Sequence, residues 1–311
     1  MIGIREAPTG KSPSGEAGPG FDLLISTRGE ERAQPRMEIE FGGKTVMITG
    51  GTHGIGRATA QRMAELGGEV IVVGRNEENG RKLADGSAGK IRFAKADLSV
   101  TSEVERLARS IEEGMPRVDV LINCAARNSR YSVLTATEEE WDEMLRLNLT
   151  APFLISKAVA GRMAREKVHG KIINVGAVQA EKPLNSAFCY STVKGALLSM
   201  SRSMAVDLSR FGIQVMYLMV GPIYAKPEGD EPPPEMDRRA ATLLGRMGRK
   251  KEVADLLAFL ASDYNTFMTG NVIAVEGGRL ISRKPDPVEV VDNLFDPLAV
   301  AQLRGQKEGQ G

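Results

Sequence analysis

Residues 45–56 read Thr-Val-Met-Ile-Thr-Gly-Gly-Thr-His-Gly-Ile-Gly, and this stretch decides the fold of the 311-residue chain. Its apolar start predicts a buried strand, Thr45–Thr49, and a helical pattern begins at Gly56. Glycines in a turn between a strand and a helix let the backbone approach a pyrophosphate, which then faces the helix N-terminus. A glycine-rich turn alone is a weak signal, but this context supports it. We therefore predict a dinucleotide-binding loop made of Gly50, Thr52, His53, Gly54, Ile55 and Gly56.

Short apolar runs alternate with longer amphipathic ones beyond Lys44, which is typical of βαβ units around a parallel sheet. The seven predicted strands are Thr45–Thr49, Glu69–Gly74, Ile91–Ala96, Val118–Asn123, Lys171–Val175, Gln214–Val220 and Asn271–Val275. Helical patterns between them include Gly56–Leu66, Ser102–Glu113, Glu138–Met163, Ser191–Ser209 and Lys251–Ala261. Right-handed crossovers then give an α/β fold, a single Rossmann-type domain with one doubly wound, seven-stranded parallel sheet.

The two ends of the chain differ in composition from its centre. Residues 1–36 hold six Gly and four Pro among five acidic and five basic side chains. Such a segment buries little apolar surface, so we predict a disordered N-terminal extension. The alternative is that Met37 is the true start. After Gly278 the regularity fades, and we predict a domain over residues 37–281 and a tail over residues 282–311, with one short helix near Leu298–Leu303.

Composition excludes several classes of protein. Lys+Arg 41 against Asp+Glu 40 gives a net charge of +1, without the basic surplus of a nucleic-acid binder. Two cysteines and two histidines are too few for a Cys/His zinc site or a disulfide scaffold. No apolar run approaches the ~20 residues of a membrane span. We expect a cytoplasmic protein with a small-molecule substrate, no bound metal, and neither nucleic acid nor a membrane as partner.

The residues after the second predicted strand discriminate between nicotinamide cofactors. An acidic side chain there would bind the adenosine ribose hydroxyls of NAD, whereas arginine accommodates the 2′-phosphate of NADP. Residues 72–76 read Val-Val-Gly-Arg-Asn, with no carboxylate before Glu77. The Arg75 guanidinium can bind a phosphate in bidentate fashion, and His53 could lend a second donor. We predict NADP(H) in preference to NAD(H). The alternative is that Arg75 is only a solvated loop residue.

Tyr190 and Lys194 lie four residues apart in a predicted helix and therefore share a face. A nearby ammonium favours the phenolate, so we expect the pKa of Tyr190 to lie below its ordinary value of ~10. That would make Tyr190 a general acid or base near neutral pH. The pair alone is common on helices, but its combination with the glycine loop is specific.

Together these features resemble the short-chain dehydrogenase/reductase family over about Met37–Ile281. Further motifs match the family's pattern after the third strand, at the end of the fourth strand, in the helical segment that follows it and near the end of the chain. They are Asp97, Asn123-Cys124-Ala125-Ala126 in the slot usually read Asn-Asn-Ala-Gly, Asn148 in Leu147–Thr150, Gly245-Arg246-Met247-Gly248, Phe259–Asp263, Thr269-Gly270 and Glu276-Gly277-Gly278.

The resemblance implies an oxidoreductase in which a tyrosine protonates a carbonyl oxygen as NADPH delivers hydride. It makes Tyr190 the acid/base, Lys194 its electrostatic partner and ribose ligand, and Asn148 the anchor of a proton-relay water. It assigns the adenine to Asp97 and further cofactor contacts to Asn123, Gly221 and Ile223. A homotetramer or homodimer is also implied, with the helix Glu138–Met163 and the helix of Tyr190 at its interface.

The chain departs from the family's pattern around the substrate. The catalytic serine, thirteen residues before the tyrosine, is Ala177 here. Loss of one transition-state donor typically lowers the rate by ~10²–10³. Candidates for a substitute donor are Gln179, Asn185 and Ser186. The usual Pro-Gly after the sixth strand is Val220-Gly221, and the threonine that meets the nicotinamide amide is Ala225.

Residues 224–239 fit the family's substrate lid and carry several carboxylates: Glu228, Asp230, Glu231, Glu235 and Asp237. These would repel an anionic substrate, although we favour the interpretation of a solvated loop.

Three functions are compatible with the sequence. The first is an NADPH-dependent carbonyl reductase, or the reverse alcohol oxidation, with attenuated activity. The second keeps the fold and cofactor but reduces a C=C bond, dehydrates or epimerises. The third is a weakly active nucleotide-binding subunit that stabilises a partner. Intact Tyr190, Lys194 and Asn148 favour the first.

Overall fold

The computed structural model describes residues 38–225, 232 and 237–286. The strands are β1 (Thr45–Thr49), β2 (Glu69–Gly74), β3 (Ile91–Lys95), β4 (Val120–Asn123), β5 (Lys171–Val175), β6 (Gln214–Val220), β7 (Ile223–Tyr224), β8 (Gly248–Arg249) and β9 (Val272–Val275). The α-helices are α1 (Gly54–Glu65), α2 (Glu77–Asp85), α3 (Thr101–Glu113), α4 (Glu138–Leu145), α5 (Ala151–Arg165), α6 (Phe188–Leu208) and α7 (Lys250–Ala261). The helix α2 and the short pair β7–β8 were not singled out from the sequence.

Seven strands form one parallel sheet in the order β3-β2-β1-β4-β5-β6-β9. The strand order reverses between β1 and β4, where Val46 pairs with Val70 on one side and Val120 on the other. In doubly wound sheets a crevice forms at this reversal, beyond the carboxyl ends of the strands. The predicted seven-stranded Rossmann-type sheet is confirmed.

Two apolar layers cover the two faces of the sheet. Successive side chains of a strand point to opposite faces, so Ile48 belongs to the layer that contains Leu257 of α7. Met47 belongs to the layer that contains Ile155 of α5. Because both faces are covered, the strands read as continuous apolar runs rather than as alternating ones.

The predicted helix Glu138–Met163 is interrupted at its centre. A π-helical turn, Arg146–Thr150, separates α4 from α5, and the Ala151 N–H donates to the Arg146 carbonyl. Pro152 follows at once and has no N–H, so an α-type hydrogen bond to residue 148 cannot form there. The break places Asn148, one of the predicted site residues, in the π turn.

Several sequence predictions fall outside the described residues. They concern the N-terminal extension, the short helix near Leu298–Leu303 and most of the lid. Ser282 and Asp286, at the end of the described range, are 3% and 1% exposed. No helix in the described part of the chain is long and apolar enough to cross a membrane.

Candidate active site

A cavity of about 400 Å³ opens where the strand order reverses. Its walls come from the residues after β1 and β4, the ends of β5 and β6, and the first turns of α6. The predicted cofactor residues that line it are Gly50, His53, Gly54, Ile55, Gly56, Tyr190, Lys194, Gly221 and Ile223. Carboxyl ends of strands at such a reversal are where doubly wound folds bind their ligands.

In the glycine loop, the backbone of Gly56 lies close to that of Gly50, and the backbone of Gly50 lies close to that of Ala125. A Cβ on Gly56 would lie 2.4 Å from the Gly50 carbonyl oxygen. Gly50 itself has φ +69, and a Cβ there would lie 2.7 Å from Ala125 Cα. The first turn of α1 carries no acidic residue, and His53 at its N-cap makes no side-chain hydrogen bond to the helix. Helix N–H groups at this wall are therefore suited to an anion such as a dinucleotide pyrophosphate.

Arg75 and Asp97 lie at the carboxyl end of β2 and β3, outside the cavity wall. Arg75 is 73% exposed in its side chain, with Nη1 3.9 Å from Asp97 Oδ2. Burial alone would raise the pKa of Asp97, but hydrogen bonds from the Ser99 hydroxyl and N–H hold it below its ordinary value. The two predicted residues are thus neighbours at the edge where the adenosine half of a dinucleotide would extend.

Glu77, the first carboxylate after β2, is engaged elsewhere. Lys95 Nζ lies 2.8 Å from Glu77 Oε2, and Arg81 Nη2 lies 2.6 Å from Oε1. Hydrogen bonds from Lys95 and then Arg81 lower the pKa of Glu77. A carboxylate that two cations already hold is poorly available to ribose hydroxyls.

Thr52 and Asn123 were expected to contact the cofactor, but neither lines the cavity. Thr52 is 2% exposed and packs against Gly74 at the end of β2. The Asn123 side-chain amide donates to Ser156 Oγ at 2.9 Å and to Asn174 Oδ1 at 2.8 Å. As placed, Asn123 joins β4 to β5 and α5 inside the core.

Tyr190 and Lys194 project from successive turns of α6 into the cavity. Lys194 is 2% exposed, its Nζ lies 5.6 Å from the centre of the Tyr190 ring, and it donates to the Val175 carbonyl at 3.0 Å. Burial lowers the pKa of Lys194 to about 8. The ammonium is therefore held between the end of β5 and the tyrosine ring.

The expectation of a lowered Tyr190 pKa is wrong for this structure. Burial raises the pKa of Tyr190, and the neighbouring Tyr217 and Cys124 raise it further, whereas Arg238 acts in the opposite direction. Desolvation of the buried phenolate is the largest of these effects. Tyr190 is thus a phenol at neutral pH, in the protonation state that a proton donor needs.

Asn148 is completely buried in the π turn. Its Nδ2 donates to the Met144 carbonyl at 3.2 Å and to the Arg127 carbonyl at 3.3 Å. Its Oδ1 is buried without a hydrogen-bond partner within the described residues. An orphaned buried acceptor of this kind calls for an ordered water or ligand group, as the predicted relay role requires.

Ala177 lines the cavity, and its methyl group supplies no hydrogen bond. Its backbone N–H is already used, since it donates to the Tyr217 hydroxyl at 3.1 Å. Of the three substitute donors considered, Gln179 lines the cavity and is 7% exposed, whereas Asn185 and Ser186 do not line it. Of those three candidates, Gln179 alone is therefore placed where its side-chain amide can face the cavity.

Tyr217 was missed by sequence reasoning. Its hydroxyl, besides accepting from Ala177, donates to the Lys194 carbonyl at 3.1 Å, and the side chain is 1% exposed. It therefore ties the end of β5 to the turn of α6 that carries the lysine. A polar tip within the apolar strand Gln214–Val220 was the available signal, because buried tyrosine hydroxyls usually find partners.

Arg238, within the segment predicted as the lid, and Met247 also line the cavity, and neither was predicted as a site residue. The guanidinium Nε of Arg238 lies 3.8 Å from Asp286 Oδ1. Nothing in the local sequence around residue 238 indicates that this side chain turns inward rather than to solvent.

Comparison with known proteins agrees with this geometry. A family model described as enoyl-(acyl carrier protein) reductase matches residues 50–279. A solved structure titled short chain dehydrogenase/reductase family protein superposes with a TM-score of 0.70 at 30% identity, covering 79% of this chain and 100% of its own. The chain belongs to the short-chain dehydrogenase/reductase family. Membership makes it an oxidoreductase.

Two relatives within the family illustrate its range. The short-chain reductase protein NovJ of Streptomyces niveus is 33% identical over 244 residues, which are 75% of this chain and 92% of that protein. The NADP-dependent (R)-specific alcohol dehydrogenase of Lentilactobacillus kefiri is 32% identical over 244 residues, 76% of this chain and 96% of that one.

Proposed function

We propose that the protein reduces a carbonyl compound to an alcohol at the expense of NADPH, or catalyses the reverse oxidation. The observation that carries the proposal is the placement of Tyr190 and Lys194 on the same cavity as the glycine loop. A dinucleotide laid on the loop would extend along this cavity toward the tyrosine. The named relative from Lentilactobacillus kefiri is an alcohol dehydrogenase, which is consistent with this reaction class.

The bound cofactor would supply a hydride to the carbonyl carbon. Tyr190 donates its phenolic proton to the carbonyl oxygen, so the C=O bond becomes CH–OH. The phenolate left behind lies beside Lys194, whose positive charge stabilises it. Asn148 Oδ1 is the buried acceptor that can hold a water for returning a proton.

Gln179 is the residue we assign to polarising the carbonyl in place of serine. It lines the cavity within two residues of Ala177, on the 3₁₀ turn that follows β5. We expect Gln179→Ala to lower kcat by about 10²- to 10³-fold, in line with removal of one donor. A serine introduced by Ala177→Ser in the Gln179→Ala protein should restore the rate. An unchanged kcat in Gln179→Ala would contradict the proposed role of Gln179 and would leave the proposed role of Tyr190 unaffected.

NADP(H) is the proposed cofactor. Support comes from the exposed Arg75 guanidinium at the end of β2 and from the engagement of Glu77 by Lys95 and Arg81. Arginine stands at position 75, where an acidic residue would favour NAD(H). The next carboxylate in the described structure, Glu77, is already bound by Lys95 and Arg81.

We also propose a cytoplasmic homotetramer or homodimer that uses α4, α5 and α6. Apolar side chains exposed on these helices include Phe153 (47%), Phe188 (39%) and Val206 (76%). Analytical ultracentrifugation should find a dimer or tetramer, and a monomer at micromolar concentration would contradict the proposal.

The test is consumption of NADPH against benzaldehyde, acetophenone, benzylideneacetone and para-formylbenzoate. We expect turnover with at least one of them, and a loss of about 10²–10⁴ in kcat for Tyr190→Phe with NADPH affinity retained. Tyr264→Phe is the matched control, because Tyr264 is 50% exposed and lies outside the cavity wall. Equal activity in Tyr190→Phe and wild type would overturn the proposal.

Reduction of an activated C=C bond is the second candidate. Ala177 favours it, because a C=C bond requires no hydroxyl at this position to bind a reacting oxygen, and the matching family model is described as an enoyl reductase. Benzylideneacetone separates the two candidates, since it yields an allylic alcohol by carbonyl reduction and a saturated ketone by C=C reduction.

A further inference from the structure

The side chain of Arg127, the residue that follows the Asn123–Ala126 motif, is turned away from the cavity. Ala126 and Asn128 both line the cavity, whereas Arg127 between them does not. The Arg127 side chain is 37% exposed and lies against α4, the helix that leads into the π turn of Asn148. Arg127 thus lies beside the cavity, between its wall and α4.

Two carboxylates of α4 bind the Arg127 guanidinium. Nη2 donates to Glu140 Oε2 at 3.1 Å, and Nη1 is paired with Glu143 Oε2. Glu140 and Glu143 lie three residues apart and therefore share a face of the helix. The hydrogen bond to Glu143 is the main cause that raises the pKa of Arg127. Because the Glu140 side chain is only 9% exposed, water screens this ion pair less than it screens a surface pair.

The backbone carbonyl of the same residue accepts a hydrogen bond from Asn148. Asn148 Nδ2 lies 3.3 Å from the Arg127 carbonyl oxygen and 3.2 Å from the Met144 carbonyl oxygen. These two acceptors use both protons of the side-chain amide. A flipped amide would place Oδ1 against two carbonyl oxygens, so the contacts fix the direction in which Oδ1 faces.

Of the two carbonyls that orient Asn148, that of Arg127 depends on contact between separate segments of the chain. The Met144 carbonyl belongs to α4, four residues before Asn148. Arg127 instead lies in the segment that follows β4, and its guanidinium ties that segment to α4. Loss of these ion pairs would therefore let one of the two acceptors move away from Asn148.

We propose that Arg127 is a positioning residue of the active site, whose ion pairs with Glu140 and Glu143 hold its carbonyl against Asn148. Asn148 Oδ1 is thereby kept in place to bind the relay water. This inference rests on the proposed carbonyl reduction. Tyr190 gives up its proton in each turnover and must recover one before the next. Arg127 acts on that recovery and leaves the transfer of hydride unaffected.

Comparison of the first turnover with later ones distinguishes this role from a general structural one. Because burial raises the pKa of Tyr190, the phenol carries its own proton into the first turnover. In Arg127→Met, stopped-flow absorbance should show a burst of one NADPH oxidised per site at the wild-type rate, with the carbonyl probe that wild type reduces fastest. The steady-state kcat should then fall about tenfold, because positioned proton transfer contributes about 10²–10⁴ to a rate and the acceptor is misplaced rather than removed. KM and the affinity for NADPH should not change.

The ion pair can be removed without leaving a buried charge. Loss of Arg127 alone leaves the Glu140 carboxylate without its cation, which is destabilising for a buried group. Arg127→Met/Glu140→Gln removes both charges, and we expect it to fold and to show the same fall of about tenfold in kcat. Arg127→Lys, whose ammonium can bind one carboxylate, should recover part of the rate. Arg146→Met is the matched control, because Arg146 pairs with Asp142 at 3.4 Å in an exposed position at the end of α4. Its kcat should equal that of wild type.

A double-mutant cycle shows whether Arg127 acts through Asn148. Asn148→Ala removes the acceptor itself, so its kcat should be at least as low as that of Arg127→Met/Glu140→Gln. If Arg127 works by orienting the Asn148 amide, adding Arg127→Met/Glu140→Gln to Asn148→Ala should lower kcat no further. Additive losses would show that Arg127 acts elsewhere and would overturn the proposal.

Hydrogen exchange of the Asn148 side chain is a measurement that does not depend on turnover. In ¹H–¹⁵N correlation spectra its amide is assigned by its absence in Asn148→Ala. The amide is buried and donates to two carbonyls, so its protons should exchange slowly in wild type. In Arg127→Met/Glu140→Gln they should exchange at least about tenfold faster, while the backbone amides of β4, β5 and α6 keep their protection.

The possible outcomes are distinct. If no carbonyl probe is reduced but the exchange of the Asn148 amide accelerates as expected, carbonyl reduction fails and the positioning by Arg127 stands. If the probe is reduced and Arg127→Met/Glu140→Gln matches wild type in kcat or in exchange, the positioning role is wrong and carbonyl reduction stands. If the burst and the steady state slow together, Arg127 supports the site as a whole and the inference is overturned.

Discussion

Replacing Tyr217 by Phe removes one buried oxygen atom and should be among the most damaging conservative changes in this protein. The hydroxyl accepts from the Ala177 N–H and donates to the Lys194 carbonyl, both at 3.1 Å. The ring lies against Gly176, where an added Cβ would fall 1.8 Å from Tyr217 Cζ. Phenylalanine fits the same space, so the change isolates the two hydrogen bonds.

The magnitude follows from the Ala177 N–H, which would lose its partner, whereas the Lys194 carbonyl lies within α6 and still accepts the hydrogen bond of the helix. A buried donor left unsatisfied costs about 1–3 kcal/mol. We therefore expect the free energy of unfolding to fall by about 1–3 kcal/mol. That corresponds to roughly a 5- to 150-fold change in the unfolding equilibrium constant. We also expect kcat to fall, because the hydroxyl ties the end of β5 to the turn of α6 that carries Lys194.

Urea unfolding followed by far-ultraviolet circular dichroism measures the effect. With a slope of about 3 kcal/mol per molar urea, the midpoint should fall by roughly 0.3–1 M. Tyr264→Phe is the control, since a half-exposed tyrosine should change stability by no more than about 0.5 kcal/mol. A Tyr217→Phe midpoint equal to that of the control would refute the reasoning that these two hydrogen bonds are satisfied and buried.

Three other predictions follow from the site. Gly56→Ala places a Cβ 2.4 Å from the Gly50 carbonyl oxygen, so NADPH affinity measured by fluorescence should fall at least about tenfold; Gly161→Ala, whose Cβ would meet nothing closer than 3.7 Å, should leave it unchanged. Arg75→Asp should raise KM for NADPH and lower KM for NADH, and an unaltered ratio of the two would show that Arg75 does not contact the 2′-phosphate. Burial lowers the pKa of Lys194 from its ordinary value of 10.5 to about 8, so the ammonium is present below that pH and lost above it. kcat for reduction should be flat below pH 8 and decline above it, whereas Lys194→Arg, which remains charged, should show no decline near pH 8.

The sheet was predictable because its signals are local and repeated. The continuous apolar runs of β1, β2, β5 and β6 follow from burial on both faces, and the structure gives these strands the bounds that the sequence predicted. The break between α4 and α5 was not predicted. A helical pattern continues through residues 146–150, and only Pro152 hints that one hydrogen bond is missing.

The site was predictable only where a motif fixes backbone or helix geometry. Close backbone contacts require glycine at positions 50 and 56. The helical repeat places Tyr190 and Lys194 on the same face of α6. The pKa of Tyr190 was mispredicted because spacing shows the lysine but not the burial of the phenol.

Side chains brought to the site by long-range packing gave no local signal. Tyr217 reaches the catalytic pair across the sheet, and Arg238 is held by Asp286, 48 positions further along the chain. Such residues are found only once the fold places them.

The most direct test of carbonyl reduction by Tyr190 is to identify the substrate carbon that receives the hydride. The protein is incubated with benzylideneacetone and with benzylidenepyruvate, using NADPH deuterated at the transferred position, and the products are examined by nuclear magnetic resonance. We predict deuterium on the carbinol carbon of an allylic alcohol, with the product lost in Tyr190→Phe. Deuterium on the β-carbon of a saturated ketone, or no transfer from a complex that binds NADPH, would contradict carbonyl reduction by Tyr190.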